Sequence, residues 1–369
     1  MSHRLAAVVM ALALGFGTNA CSGGDDAATT APADSTTATV TDTFTSADGL
    51  PTDRVGQVVV GLDGTVWVAV EGDLVRSDSA LRYETFARFD GEGWVDVGTP
   101  DLVALDGDPK PNSPVVFGMD ISGGPDGSLW VVNTGFDSTG DIYLYNGVEW
   151  LSPTNDRSLA TGAAALDGSL WTIGLPASGD IGLYRVEGQT VTLQPDPDGG
   201  IGCVLCVDYD VDADGLLWMY SGTISSFDGA AWTTLEGEYP ELDGIGTDST
   251  EGRWALGADG THWVLRRTAE GVEIVRITGG EVTTMPVADS RVAYPLDAGT
   301  AFAGGADGRL WLAIESVGLS SIDVDTGTVT QYGLDDGLPT LELLDIAAHP
   351  DGTIWVATAA GITRIVPES

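Results

Sequence analysis

Lysine is all but missing from this sequence: Lys110 is the only one in 369 residues. Lysine and arginine together number 15 against 55 aspartates and glutamates, a formal charge of −40. Phosphate backbones are held by clustered cations, so nucleic acid is excluded as a partner. An excess of this size favours solubility and says little about fold. Histidine is as scarce, with 3, and one of these, His3, lies in the N-terminal leader. His262 and His349 remain, two repeats apart, and each is expected to be structural. The 3 cysteines are too few for a disulfide framework or a four-thiolate zinc site. No Gly-x-Ser-x-Gly elbow, His-Glu-x-x-His pair or phosphate loop occurs. No catalytic residue, metal or other cofactor is therefore assigned.

Long apolar runs are also lacking. The run from Leu5 to Phe16, after Arg4, is too short to span a bilayer and reads as a signal peptide over residues 1–20. Thr18-Asn19-Ala20 suits ordinary secretion. Followed by Cys21, the same residues resemble a bacterial lipobox, with Thr18 where leucine is usual, which makes Cys21 the expected lipidation site. Residues 21–41 are a Gly, Asp, Ala, Thr and Ser tether, too poor in apolar groups to order itself. The expected location is extracytoplasmic, on the outer surface of a bacterial membrane through a lipid anchor only, or otherwise secreted.

What is abundant is glycine, with 51 residues, many of them in Asp-Gly pairs. The phrase Asp-Gly-x-x-Trp occurs seven times, beginning at Asp63, Asp126, Asp167, Asp214, Asp259, Asp307 and Asp351. Successive spacings are 63, 41, 47, 45, 48 and 44 residues, the length of one four-stranded propeller blade. Asp-Gly supplies the positive-φ turn between the first two strands of a blade. The residue before tryptophan is aliphatic in six copies, so the ring itself faces the gap between blades. The irregular first spacing is assigned to an insertion in blade 1. An all-β, seven-bladed β-propeller over residues 42–367 follows.

The ends predict how the ring closes. The last repeat stops after its third strand, and residues 40–45 are expected to provide the fourth, removing an exposed sheet edge. Asp48-Gly49-Leu50-Pro51-Thr52 near the start is repeated as Asp336-Gly337-Leu338-Pro339-Thr340 before the last repeat. Asp-Gly-Leu-Pro, an apolar strand, Asp-Gly-x-Leu/Ile-Trp and Gly-Ile/Leu-x-Arg together resemble the two-component regulator propeller repeat. That resemblance implies a β-propeller with a sensing or binding role, as in the extracytoplasmic half of histidine kinases. No kinase segment is read here. Residues 124–130 also resemble the Gly-Pro-Asp-Gly-x-Leu-Trp repeat of streptogramin lyases, which use a histidine base and carboxylate-held magnesium. No histidine stands near the expected loop face, so no catalytic residue carries over.

Cys203-Val204-Leu205-Cys206 is a lone pair outside the cell, where a disulfide is the default and free thiols the alternative. A disulfide needs a turn there, because an extended segment holds the two α-carbons about 10 Å apart. Asp210-Val211-Asp212-Ala213-Asp214-Gly215 opens like a calcium loop, but Trp218 and Ser221 stand where later ligands belong. A solvated or channel-facing strand is the better reading. Long loops at 71–82, 99–114, 133–140, 194–206, 235–252 and 286–299 share one face, and function favours such loops. Arg82, Arg157, Arg266 and Arg267 are candidate ligand anchors there, with ordinary ion pairing as the alternative. The expected activity is non-enzymatic: a monomeric sensor or scaffold binding a small molecule, glycan or protein on the long-loop face. A streptogramin lyase-like or glycan-active enzyme is the alternative.

Overall fold

A computed structural model describes residues 39–71, 83–100, 116–135, 141–152, 158–175, 182–194, 208–220, 224–235, 252–268, 271–287, 300–314 and 316–367. These form seven antiparallel four-stranded sheets. A single strand, β1 (Thr39–Phe44), comes first. Blade 1 is β2 (Val55–Val60), β3 (Val66–Glu71), β4 (Tyr83–Phe89) and β5 (Trp94–Gly98). Blade 2 is β6 (Val116–Gly123), β7 (Leu129–Gly135), β8 (Asp141–Tyr145) and β9 (Trp150–Leu151). Blade 3 is β10 (Ser158–Ala164), β11 (Leu170–Leu175), β12 (Gly182–Glu187) and β13 (Thr190–Leu193). Blade 4 is β14 (Asp208–Val211), β15 (Leu217–Tyr220), β16 (Ile224–Phe227) and β17 (Trp232–Thr234). Blade 5 is β18 (Gly252–Leu256), β19 (His262–Thr268), β20 (Gly271–Thr278) and β21 (Glu281–Val287). Blade 6 is β22 (Thr300–Gly304), β23 (Leu310–Ile314), β24 (Gly318–Asp323) and β25 (Thr328–Tyr332). Blade 7 holds β26 (Leu343–Ala348), β27 (Ile354–Thr358) and β28 (Gly361–Val366), and its outer strand is β1.

The ring therefore closes with a mixed blade. β1 pairs antiparallel with β28 from Thr39–Val366 to Phe44–Ile362. Asp42 is ion-paired with Arg364, and Phe44 stacks on Trp355 at 5.9 Å between centroids. The repeated phrase does the same work in both places. Ser46–Asp48 and Leu334–Asp336 are single 3₁₀ turns, each ended by a left-handed glycine, Gly49 (φ 97°) and Gly337 (φ 102°). Asp48 and Asp336 accept the backbone N–H three residues back, at 2.9 and 2.8 Å. Leu50 and Leu338 then plug the core.

The Asp-Gly turns divide their labour differently from a simple two-residue turn. In six blades only the glycine is left-handed; blade 2 alone has both residues there, with Asp126 at φ 60°. In those six the glycine N–H closes the turn onto the carbonyl three residues back, as Gly64 does on Gly61 at 2.8 Å, whereas the Gly127 N–H of blade 2 donates to Asp63 Oδ2. Aspartate contributes its side chain instead. In blades 1, 3, 5, 6 and 7 its Oδ1 accepts the N–H two residues on, at 2.9–3.1 Å. Short polar side chains make such turns cheaply.

Six of the seven motif tryptophans belong to one blade and are buried by the next, while Trp218 of blade 4 is half-buried against Trp254 and Val264 of blade 5. Trp67 packs with Ile121, Leu129 and Tyr143 of blade 2, Trp130 with Leu170 and Tyr184 of blade 3, and Trp171 with Leu217 and Phe227 of blade 4. Trp263 meets Leu310 and Leu312 of blade 6, Trp311 meets Leu343 and Ile354 of blade 7, and Trp355 meets Val58 and Val66 of blade 1. The core is thus a ring of inter-blade joints. Glycine lets the joints close: a Cβ on Gly304 would lie 2.5 Å from Trp263 Cδ1.

Candidate functional site

The inner strands β2, β6, β10, β14, β18, β22 and β26 surround a recess of about 670 Å³ that runs to the Asp-Gly turns, where Leu62, Leu166, Ala213, Gly260 and Pro350 form its rim. Its wall is organised by the motif. Four residues before each motif aspartate stand Val59, Ser122, Ala163, Asp210, Ala255, Ala303 and Ala347, all paired across the sheet with the motif tryptophan. All are small or medium-sized, which keeps the channel open, and Asp210 is the single acid among them. Its side chain is solvent-exposed but lies within the recess, among the lining residues.

Six residues before each motif aspartate stand Gln57, Asp120, Thr161, Asp208, Arg253, Ala301 and Asp345. These form a deeper polar ring, with acids in blades 2, 4 and 7 and one cation in blade 5. Strand geometry alternates side chains, so one residue of each inner strand reaches the same level. Asp120, Asp208 and Asp345 are half-buried. Burial raises the carboxyls of Asp120 and Asp208 above the usual aspartate value, with Arg253 opposing the rise at Asp208. Burial pushes Asp345 up to about 7 and Asp210 up to about 6. Repulsion from the Asp120 charge adds to both shifts, and Asp212 adds to that of Asp210. The Tyr209 hydroxyl, on the same wall, is also pushed well up by burial. The recess is therefore acidic at neutral pH and strained by its own charge.

The sequence candidates fall elsewhere. Arg266 is described, and its Nη2 lies 2.7 Å from Glu273 Oε2. That ion pair is the alternative anticipated for it. Cys21, Arg82, Arg157, Cys203, Cys206 and the side chain of Arg267 lie outside the described residues. His262 is buried between Trp218, at 4.3 Å centroid to centroid, and Trp254, at 6.0 Å. Burial lowers its pKa to about 4, against the opposing pull of Asp212. His349 Nε2 meets Gly64 O at 2.9 Å, and its Nδ1 lies 2.7 Å from Asp351, joining blade 7 to blade 1. Both histidines sit at the Asp-Gly turn side, as anticipated. Asp210 faces the channel from β14, while Asp212 Oδ1 accepts from the N–H groups of Asp214 and Leu216 at 2.9 Å. Among the described residues, no three potential ligands group to hold a metal. The sequence reading passed over Asp120, Asp208 and Asp345. Their constant offset from the motif was the available signal.

No family model matches the sequence, and no curated protein matches it. Solved structures do match in fold. A streptogramin B lyase structure is 16% identical, with 86% of this chain and 95% of that one covered and a TM-score of 0.51. The extracellular domain of the hybrid two component system BT4673 from B. thetaiotaomicron is 14% identical at a TM-score of 0.54, covering 88% of this chain and 39% of that one. That of BT3049 from the same organism is 13% identical at a TM-score of 0.50, over 86% and 40%. The chain thus spans about two-fifths of the length of those two proteins. It is a seven-bladed β-propeller, of the architecture found in those extracellular domains and in the lyase.

Proposed function

We propose that this chain is a non-enzymatic, lipid-anchored binding protein of the extracytoplasmic surface, a sensor or scaffold that holds a cationic solute in its channel. The observation that carries this reading is the open recess whose wall bears Asp120, Asp208, Asp210 and Asp345. A negative, partly enclosed wall concentrates cations and repels anions. Small side chains above the acids leave room for an amine-bearing molecule of modest size. The long-loop face, with Arg82, Arg157 and Arg267, remains the surface proposed for a protein or glycan partner. A lyase-like activity has the fold in its favour. The buried, weakly basic His262 and the engaged His349 argue against a histidine base at either position.

A thermal-shift series at pH 7.5 with spermidine, magnesium, calcium and a neutral disaccharide tests the reading. Spermidine or a divalent cation is expected to raise the unfolding temperature of the wild type and to lose most of that effect in Asp210→Asn. Equal shifts in both proteins, or stabilisation by the disaccharide alone, would overturn it.

A further inference from the structure

Asp120, Asp208 and Asp345 share one register, and each reaches across to the inner strand of the following blade. Asp345 Oδ2 accepts from Val58 N at 2.9 Å, joining blade 7 to blade 1. Asp120 Oδ2 accepts from Thr161 Oγ1 at 2.6 Å and from Gly162 N at 3.3 Å, joining blade 2 to blade 3. Asp208 Oδ2 accepts from Trp254 N at 3.3 Å, joining blade 4 to blade 5. No two of these acids lie on neighbouring blades. The other ionisable groups near them are Tyr209 and Asp210 from β14, Asp212 just after it, which acts on Asp210, and Arg253 from β18. At the same level β2, β10 and β22 present Gln57, Thr161 and Ala301, which carry no charge.

We propose that these three carboxylates form a proton-operated clasp on the ring. As pH falls they are neutralised in place, the inter-blade hydrogen bonds remain, the repulsion across the channel fades, and the propeller tightens. Each step takes one proton from solvent onto a carboxylate oxygen. A protonated carboxyl keeps a carbonyl oxygen that still accepts an N–H, so the joint is not lost with the charge. The directions of titration agree. All three groups are raised by burial, and each of Asp208 and Asp345 is coupled to Asp120. A carboxyl raised in the folded state binds more protons there than in the unfolded chain. The contribution of Asp345 to stability therefore grows as pH falls from about 7 toward the ordinary aspartate value of 3.8. His262 acts oppositely: lowered to about 4, it favours the folded state above its ordinary value of 6.5, and that contribution is lost as pH falls between the two. A comparison between variants cancels the histidine. The clasp does not depend on the ligand proposed above.

Asp120→Asn removes the charge that the other acids feel, and its amide oxygen can still accept from Thr161 and Gly162. Unfolding temperatures of wild type and Asp120→Asn, measured without ligand from pH 8 to pH 5, should differ by about 2–4 °C in favour of the variant at pH 8, with the gap narrowing as pH falls. A variant less stable at pH 8, or a gap constant across the range, overturns the clasp. Carboxyl ¹³C titration of the wild type reads the same property directly and does not require the variant to fold. A midpoint for Asp345 near 7 is expected, and one near 4 rejects the proposal.

Discussion

A motif tryptophan is supplied by one blade and enclosed by its neighbour, so losing one ring opens a gap between two sheets at once. Among the described residues the indole N–H groups of Trp67, Trp130, Trp263, Trp311 and Trp355 meet no acceptor, and the rings serve the joints through their apolar area. Trp311→Ala is expected to cost about 3–5 kcal/mol, read as a lower denaturant midpoint. Trp311→Phe keeps an aromatic ring against Tyr332, which stacks on it at 5.7 Å, and should lose less than half as much. An alanine variant with an unchanged midpoint would deny the ring its place in the joint. The positions of these tryptophans were legible from spacing alone. The exception was not: Trp218 is only half-buried and donates from Nε1 to Asp212 Oδ2 at 2.7 Å. That bond depends on an aspartate two residues before the blade 4 motif. Blades 1, 2, 5 and 6 have glycine at this position, blade 3 has Ala165 and blade 7 has His349.

Among the strands, β1 carries the most consequence for its length. It covers the outer edge of β28, and its Phe44 ring packs among Phe89, Trp94 and Trp355. Deleting residues 39–44 uncovers that edge and strips a row of hydrogen bonds worth about 0.5–1.5 kcal/mol each, together with a buried aromatic side chain. A loss of several kcal/mol is expected, with faster amide exchange confined first to β28. A truncated protein that unfolds at the wild-type midpoint would contradict this account. The strand was predicted at 40–45 and observed at Thr39–Phe44. The Asp-Gly-Leu-Pro phrase gave it away, since an identical turn needs an identical strand before it. The geometry of the Asp-Gly hairpins was less legible. Sequence shows that a turn is present, but not that Asp126 alone among the motif aspartates turns left-handed: a proline precedes the motif aspartate in blade 2 (Pro125) and in blade 7 (Pro350), and only the first turn differs.

The whole chain is strongly acidic, and the leader and tether expected from the sequence would set where that charge is displayed. If Cys21 carries the anchor, Cys21→Ala should move the protein from the membrane fraction into the medium without changing its unfolding temperature; continued membrane association would refute the tether. The site was only partly visible in advance. Repeats disclose what blades share, and a ligand is recognised by what they do not share. The loop arginines were chosen for their sign against an acidic background, and Arg266 spends its charge on Glu273. The channel acids were hidden because each looks like an ordinary strand residue until all seven copies are aligned on the motif aspartate.

The closing strand also sets an order of events. Thr43 and Thr363, hydroxyl to hydroxyl at 3.2 Å, are 320 residues apart in sequence. During synthesis, β1 leaves the ribosome before any blade and must wait for β28, the last strand of the ring. Six blades can form from local hairpins as they emerge, but the seventh cannot be completed until β28 has been made. Such a distant pairing is slow to find, and it leaves two unpaired edges open to other chains in the meantime. Pulse-labelled protein should therefore acquire protease resistance in one late step, only after residues 361–366 have been synthesised.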